Sequence, residues 1–327
     1  MLVLLVFTIL NLSLGSVNIP FKEVLLSLLG DKDGKQSWVY IIQNYRLPKA
    51  ITAILVGSGL SVSGLLMQTL FRNPLAGPFV LGVSSGASLG VALLVMGASF
   101  LGLSSLAFSN FGIAIASSLG AFLVLLAVMI VAQKVRNTMS ILIIGLMFGS
   151  LTSAIISVLA YFSSAEQLQQ YLFWSFGNLG NLSWNELLIF FVIYFIGMTL
   201  IILIIKPLNS LLLGENYAKS LGVNIKKTRN ITLLITAILT GVITAFSGPI
   251  AFVGLAVPHL AKMVFNSSNH KILLPATAII GAIIMLLSDT IAQLPNSEFT
   301  LPINAITSLF GAPIVIWLLV RKTKIVL

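Results

Sequence analysis

The chain contains no cysteine. Disulfides, thiolate metal sites and cysteine nucleophiles are therefore excluded. Charge is nearly as scarce: Asp, Glu, Lys and Arg make up 8% of the 327 residues, against roughly 25% in soluble domains. With two histidines in the whole chain, an intramembrane enzyme would lack an H-E-x-x-H site, and neither paired acids nor a Ser–His pair is visible. The phosphate-binding pattern G-x-x-x-x-G-K-[ST] does not occur, so the sequence carries no nucleotide loop of that kind.

What is abundant is apolar surface, at 58% of residues. A single water-soluble core stops growing near about 250–300 residues and could not bury so much. Residues 73–133 carry no formal charge, and neither do 50–71, 137–165, 230–258 and 299–320. Each stretch exceeds the roughly 20 residues that cross a hydrocarbon core of about 30 Å. Lipid offers no hydrogen bonds, so such spans satisfy their backbone as helices or as closed barrels. Barrel strands alternate polar and apolar residues, and the runs here do not. The expected fold class is all-α, a polytopic membrane protein forming a single domain over 1–327.

Pattern and punctuation predict about ten crossings, near residues 1–14, 47–70, 81–97, 106–132, 140–162, 186–205, 230–246, 251–265, 272–293 and 303–320. The first is short and lacks a basic residue before it, which argues against a signal peptide; it is read as a true crossing whose start is clipped. With both termini cytoplasmic, thirteen of the 18 basic residues fall inside and five (Lys22, Lys32, Lys35, Arg46 and Lys49) outside. That bias selects the orientation. It also accounts for the net charge of +10 without nucleic acid as a partner, since no basic stripe with interleaved aromatics is present.

Several stretches are more specific than apolar spans. They are Arg46-Leu-Pro-Lys-Ala50 with Val56-Gly-Ser-Gly-Leu60 and Gly64-Leu-Leu-Met-Gln68, then Phe71-Arg-Asn-Pro-Leu-Ala-Gly-Pro78 with Leu81-Gly-Val-Ser-Ser-Gly-Ala87. Further on come Ser247-Gly-Pro-Ile-Ala-Phe-Val-Gly-Leu-Ala-Val-Pro-His259, Leu274-Pro275, Ser288-Asp289-Thr290 and Phe310-Gly-Ala-Pro-Ile314. In this order and spacing, over roughly residues 40–322, the set resembles the FecCD-type permeases, the family of the vitamin B12 importer permease. The resemblance implies a ten-helix subunit of an ABC importer for iron–siderophore, haem or cobalamin-type chelates in the bacterial inner membrane. It implies a second permease subunit, with a homodimer favoured over a heterodimer. It also implies two cytoplasmic ATPase subunits and an extracytoplasmic substrate-binding protein. ATP and Mg would sit on the ATPase, and this chain would bind no cofactor or metal of its own.

The motifs have physical readings of their own. Arg46 and Lys49 stand at the outer entry of the second crossing, three residues apart on one helix face. They are either snorkelling interfacial cations or, as the resemblance implies, a docking point for acidic residues of the binding protein. The family often carries a further basic residue after the Asp-Thr pair, where Gln293 stands here. Two prolines and a glycine in Arg72–Pro78 forbid a continuous helix. That turn suits an inner gate at Asn73 and Leu75, with Thr138 a weaker gate candidate, or else a plain cytoplasmic turn. The fifth crossing carries Gly145 and Gly149 followed by Ser150, Thr152 and Ser153; small residues permit close packing, and the hydroxyls suit a path or dimer seam.

Within the loop 206–229, Gly214 to Gly222 reads as a short amphipathic helix that stops at a glycine. The resemblance makes it the coupling helix of the ATPase, with Ala218 and Leu221 as apolar anchors and Glu215 and Lys219 around them. The neighbouring Lys226 and Lys227 equally suit a helix lying on lipid headgroups. His259, inside the eighth crossing, is expected to hydrogen-bond and stabilise the kink at Pro258. Asp289 is expected to bond backbone N–H groups near it or near Ser247-Gly-Pro249. A secondary transporter or channel independent of ATP shares broken helices with this chain, but it predicts inverted repeats and a mid-depth ion site, and neither is evident.

Overall fold

Side chains that water rejects and backbone groups that lipid cannot satisfy leave the helix as the economical solution. The computed structural model describes residues 1–30, 35–101, 109–135, 138–294, 297 and 299–320, and among them helices are the only regular structure. In chain order they are α1 (Leu2–Ser13), α2 (Phe21–Leu28), α3 (Gln36–Ile41), α4 (Leu47–Phe71) and α5 (Val83–Leu101). Then follow α6 (Asn110–Gln133), α7 (Thr138–Tyr161), α8 (Ala165–Ser175), α9 (Trp184–Ile201) and α10 (Ile205–Leu212). The last five are α11 (Glu215–Ser220), α12 (Ile225–Ser247), α13 (Val253–Phe265), α14 (His270–Ala292) and α15 (Ile303–Val320).

Six helical stretches are long and apolar enough to cross a membrane: Gln36–Phe71, Phe111–Val131, Met139–Tyr161, Trp184–Leu212, Ile225–Ser247 and His270–Ala292. Shorter apolar helices at Leu2–Ser13, Val83–Gly97, Val253–Phe265 and Ile303–Trp317 stand where the other four crossings are expected.

α4 is the hub. The apolar window of its stretch is 89% buried inside the protein, whereas that of α7 is only 17% buried. A helix apolar all round belongs in an interior, and α4 has neighbours on every side: α14, α12, α13 and α9. Glycines set the spacing. A Cβ on Gly57 would collide with the backbone of Gly281 in α14, and one on Gly64 with that of Gly254 in α13. In the same way Gly86 and Gly90 of α5 press on Gly120 and Ala116 of α6. Small residues at the start of α5 thus pack within the chain.

Two features differ from expectation. The second crossing is expected to begin near residue 47, but the chain is already helical from Gln36, and a π turn at Ile42–Arg46 leads into α4, which carries Pro48 at its second position. Such bulges are frequent at functional sites. The segments between the first and second crossings and between the fifth and sixth carry their own helices, α2, α3 and α8, which hydropathy did not mark. α8 and α9 each begin with a capping box, at Ser164/Gln167 and Ser183/Glu186, a signature that can be read directly in the sequence.

Gly64→Val is expected to lower the stability of the purified protein by about 3 kcal/mol or more through overpacking. Unfolding in detergent would read this, and wild-type stability would contradict the α4–α13 contact.

Candidate functional site

At one end of the bundle, polar side chains converge on the start of α4. The Arg46 guanidinium, 8% exposed, donates from Nη1 to the carbonyls of Leu12 (2.7 Å) and Ser13 (2.9 Å) and from Nη2 to that of Val17. It closes the end of α1, whose last carbonyls have no helical partners. Lys49 Nζ lies 3.0 Å from Asp289 Oδ1. Asp289 Oδ2 accepts from Asn11 Nδ2 (2.9 Å) and Gln293 Nε2 (2.6 Å). A cavity of about 370 Å³ opens over this cluster, lined among others by Tyr45, Arg46, Lys49, Gln293 and Thr300.

Two expectations are corrected here. Arg46 and Lys49 do not form a free cationic pair, because Arg46 is engaged with three carbonyls and Lys49, 22% exposed, with Asp289. The main partner of Asp289 is Lys49 rather than backbone N–H groups. Asp289 ties α14 to α4 and, through Asn11, to α1. Gln293 supplies a neutral donor to the same carboxylate. Asn11 was missed, although an Asn in an apolar helix is a signal in itself.

The Ser247-Gly-Pro249 break lies at the same end. Gly248 (φ 72°) and Phe252 (φ 66°) are both left-handed, a costly conformation for phenylalanine. The surroundings hold it: Asn178 N–H donates to the Ser247 carbonyl (2.9 Å) and Ala251 N–H to Asn304 Oδ1 (3.0 Å).

At the opposite end α4 stops at Arg72, in the left-handed conformation (φ 48°). Asn73 Oδ1 accepts from Leu75 N–H at 2.9 Å, an Asx-type turn, and Leu75 projects with 43% exposure. His259 does not support the kink of its own helix. Its Nε2–H donates to the Pro74 carbonyl at 2.9 Å, so the imidazole fastens α13 to the Asn73–Leu75 turn. Gln68 Nε2 donates to the Leu255 carbonyl (3.1 Å), a second tie between the two helices. Thr138 opens α7, and its side chain lies outside the described residues.

α11 projects at this end. Its C-terminus is a Schellman motif, with Val223 N–H donating to the Ala218 carbonyl (3.0 Å), Gly222 N–H to that of Lys219 (2.9 Å), and Gly222 at φ 81°. Ala218 is wholly buried within the chain, which corrects its role as an outward anchor. The outward apolar face is Leu213, Tyr217 and Leu221, each more than half exposed and four residues apart. Tyr217 and Leu213 belong to this face although the sequence pattern alone does not show which side of α11 turns outward.

α10 is pinned to the core just before this projection. Asn209 Oδ1 accepts from both the backbone N–H (2.9 Å) and Nδ1 (2.7 Å) of His270. His270 Nε2 lies 2.9 Å from Thr69 Oγ1 on α4. One chain of hydrogen bonds therefore joins the base of α11 to α14 and to the last turn of α4, three residues before the Arg72–Pro78 turn. On the sparsely covered α7, Ser150, Ser153 and Ser157 face outward while Thr152 is buried.

Comparison with known proteins follows this geometry. The sequence profile of the FecCD transport family matches residues 3–321. The hemin transport system permease protein HmuU of Yersinia pestis is 36% identical over 99% of this chain and 96% of its own length. The vitamin B12 import system permease protein BtuC of Salmonella typhi is 34% identical over 85% of this chain and 83% of its own. A solved structure described as the inward-facing conformation of an ABC transporter assigned to the metal-chelate type superposes with a TM-score of 0.85 at 32% identity, covering 98% of this chain and 97% of that one. PsaBC of Streptococcus pneumoniae, in complex with Fab, shares the fold with a TM-score of 0.57 at 17% identity, over 92% of this chain and 97% of that one.

Asp289→Asn should destabilise the protein by about 1–3 kcal/mol, less than for a fully buried pair because Lys49 is partly solvated. The double variant with Lys49→Met should recover at least about 1 kcal/mol of that loss. Strict additivity in a detergent unfolding assay would show that the two side chains do not interact.

Proposed function

The chain belongs to the FecCD transport family, and from that premise we propose that it is the membrane permease of an ABC importer carrying haem, cobalamin or another metal chelate. The observation that carries this reading is similarity along almost the whole chain to permeases named for haem and vitamin B12 transport, joined to an all-helical structure with long apolar spans.

The finer picture extends that reading. Ten helices cross the membrane, with both termini cytoplasmic. This puts the Lys49–Asp289 cluster outside and the Arg72–Pro78 turn and α11 inside, in keeping with the basic bias of the latter end. Two copies pair along α7, where Ser150, Ser153 and Ser157 wet the path without holding a chelate tightly. Asn73 and Leu75, with Thr138, form the inner constriction. The extracytoplasmic binding protein docks over the cavity at Tyr45 and Lys49. There Lys49 offers the accessible charge, and Arg46 holds the α1–α4 corner that presents it; rim charges of this kind steer encounter and fix register.

Energy comes from two ATPase subunits, which hold ATP and Mg, and this chain hydrolyses nothing. Leu213, Tyr217 and Leu221 enter an apolar groove on the ATPase, in the manner of a helix presenting residues four apart. Movement of α11 reaches the gate through Asn209, His270 and Thr69, because that chain leaves little slack between α10 and the end of α4. His259 fixes the other side of the same turn.

Leu221→Asp and Tyr217→Asp should each leave membrane insertion intact and reduce substrate-stimulated ATP hydrolysis of the assembled complex by about tenfold, the equivalent of about 1.4 kcal/mol. Unchanged stimulation in both variants would remove α11 from the coupling path. Asn209→Ala should keep the ATPase bound but lower transport per ATP hydrolysed by about twofold or more; wild-type stoichiometry would contradict the relay.

A further inference from the structure

A continuous two-part groove on the flank formed by α6, α9 and α12 has no part in the transport path described above. Its larger part is a cavity of about 540 Å³ with almost wholly apolar walls, including Ile115, Leu119, Phe122, Ile193 and Ile238. That volume falls in the range of about 300–1,000 Å³ typical of small-ligand sites. At Gly241 the wall has no side chain, and a Cβ there would meet open space. The cavity opens sideways, since Phe111, Ile115, Leu119 and Phe122 are each about half exposed along α6. On a membrane-spanning chain, that flank faces hydrocarbon.

The smaller part, about 230 Å³, lies at the end of the bundle that carries Lys49 and Asp289, and its lining mixes polar with apolar groups, more polar than the larger part. Ala114 and Phe246 line both parts, so the two are continuous. Around the smaller part stand Trp174, Asn178, Asn181, Glu186 and Ser247. The Ser247 hydroxyl is 2% exposed and has no hydrogen-bond partner within the protein. A buried hydroxyl left without a partner costs free energy, and Ser247 shares that state with Thr236, Thr240 and Thr244 of the same helix. Indole side chains such as that of Trp174 favour the headgroup level of a bilayer.

Length and charge identify the occupant. Along α12 the apolar part runs from Phe246 to Leu234, about 18 Å at 1.5 Å per residue. Half of a hydrocarbon core is about 15 Å, so the groove suits one acyl chain of one leaflet. None of the described residues lining either part is Lys or Arg, and the smaller part contains Glu186. A headgroup with only negative charge would lack the basic contacts such lipids use. An ethanolamine headgroup carries an ammonium to set against the carboxylate.

We propose that this groove binds one phosphatidylethanolamine molecule of the outer leaflet, with an acyl chain between α6 and α9 against Gly241 and its headgroup at Ser247 and Glu186. The bound lipid would act as a removable wedge beside α12, the helix that leads from the loop after α11 to the Ser247-Gly-Pro249 break.

The test is native mass spectrometry of the purified permease given equimolar phosphatidylethanolamine and phosphatidylglycerol. Wild type should retain phosphatidylethanolamine over phosphatidylglycerol by about fivefold, close to 1 kcal/mol. Gly241→Phe, which fills the apolar part, should lose most of the retained lipid. Glu186→Gln keeps a carbonyl to accept from Ser183 N–H and should retain lipid without headgroup preference. If Gly241→Phe does not fold, Ile238→Trp obstructs the same space and is read in the same way. The proposal is overturned by equal retention of both lipids by wild type, by full retention in the plugged variant, or by a dimer that excludes lipid because a second copy covers the groove. None of these readouts depends on transport.

Discussion

Every backbone N–H and carbonyl inside hydrocarbon needs a partner supplied by the protein, and the polar side chains of this chain are placed largely to meet that demand. Unbroken helices need no help, and there the sequence is apolar and poor in charge. At three of the places where a helix ends or breaks, a polar side chain from elsewhere arrives. Arg46 covers the carbonyls that end α1. His259 covers Pro74 in the turn after α4, and Asn304 receives Ala251 N–H in the break before α13. The buried polar residues that reach across to another element thus include several at discontinuities, whereas buried threonines and serines such as Thr52, Ser61, Thr236 and Thr240 lie within unbroken helices.

The same contacts make those discontinuities mechanically connected. α4 is tied at one end to α14 through Lys49 and Asp289, and at the other to α14 and α10 through Thr69, His270 and Asn209. Glycine contacts hold it against α13 and α14 in between, so it moves with them as one body. α7 is the reverse case. It is a long span with little protein around it, and its outward hydroxyls have only their own helix to bond. In the function proposed above, that helix finds its remaining neighbours in a second subunit and in the solute path. A rigid hub beside a sparsely covered wall is a division of labour that suits alternating access.

Much of this could be read from the residues. The expected crossings all fall on α-helices, six of them in stretches long and apolar enough to cross a membrane, because charge-free runs of this length have few structural options. The Arg72–Pro78 and Ser247–Pro249 breaks were also legible, since proline and glycine act through local sterics. The partners of the polar residues were not. The sequence shows that Arg46 and Asp289 lie near helix ends and that His259 lies inside a helix beside Pro258. It does not show that Leu12, Pro74 and Lys49 come to meet them, since those contacts depend on how distant helices cross. For the same reason Ala218, apparently an exposed anchor, turns inward, while Tyr217 faces out. The capping boxes at Ser164 and Ser183 were visible at the level of sequence and announced α8 and α9, but hydropathy alone hides amphipathic helices between spans.

The central claim is that this chain supplies a conduit whose movement is driven by a separate ATPase. Its most direct test is chelate accumulation in proteoliposomes containing the permease, its ATPase and its binding protein, with haem and cobalamin offered in parallel. The expected result is accumulation above the external concentration with ATP, and none when ATP is absent or the ATPase is omitted. Accumulation by the permease alone, without nucleotide, would contradict it.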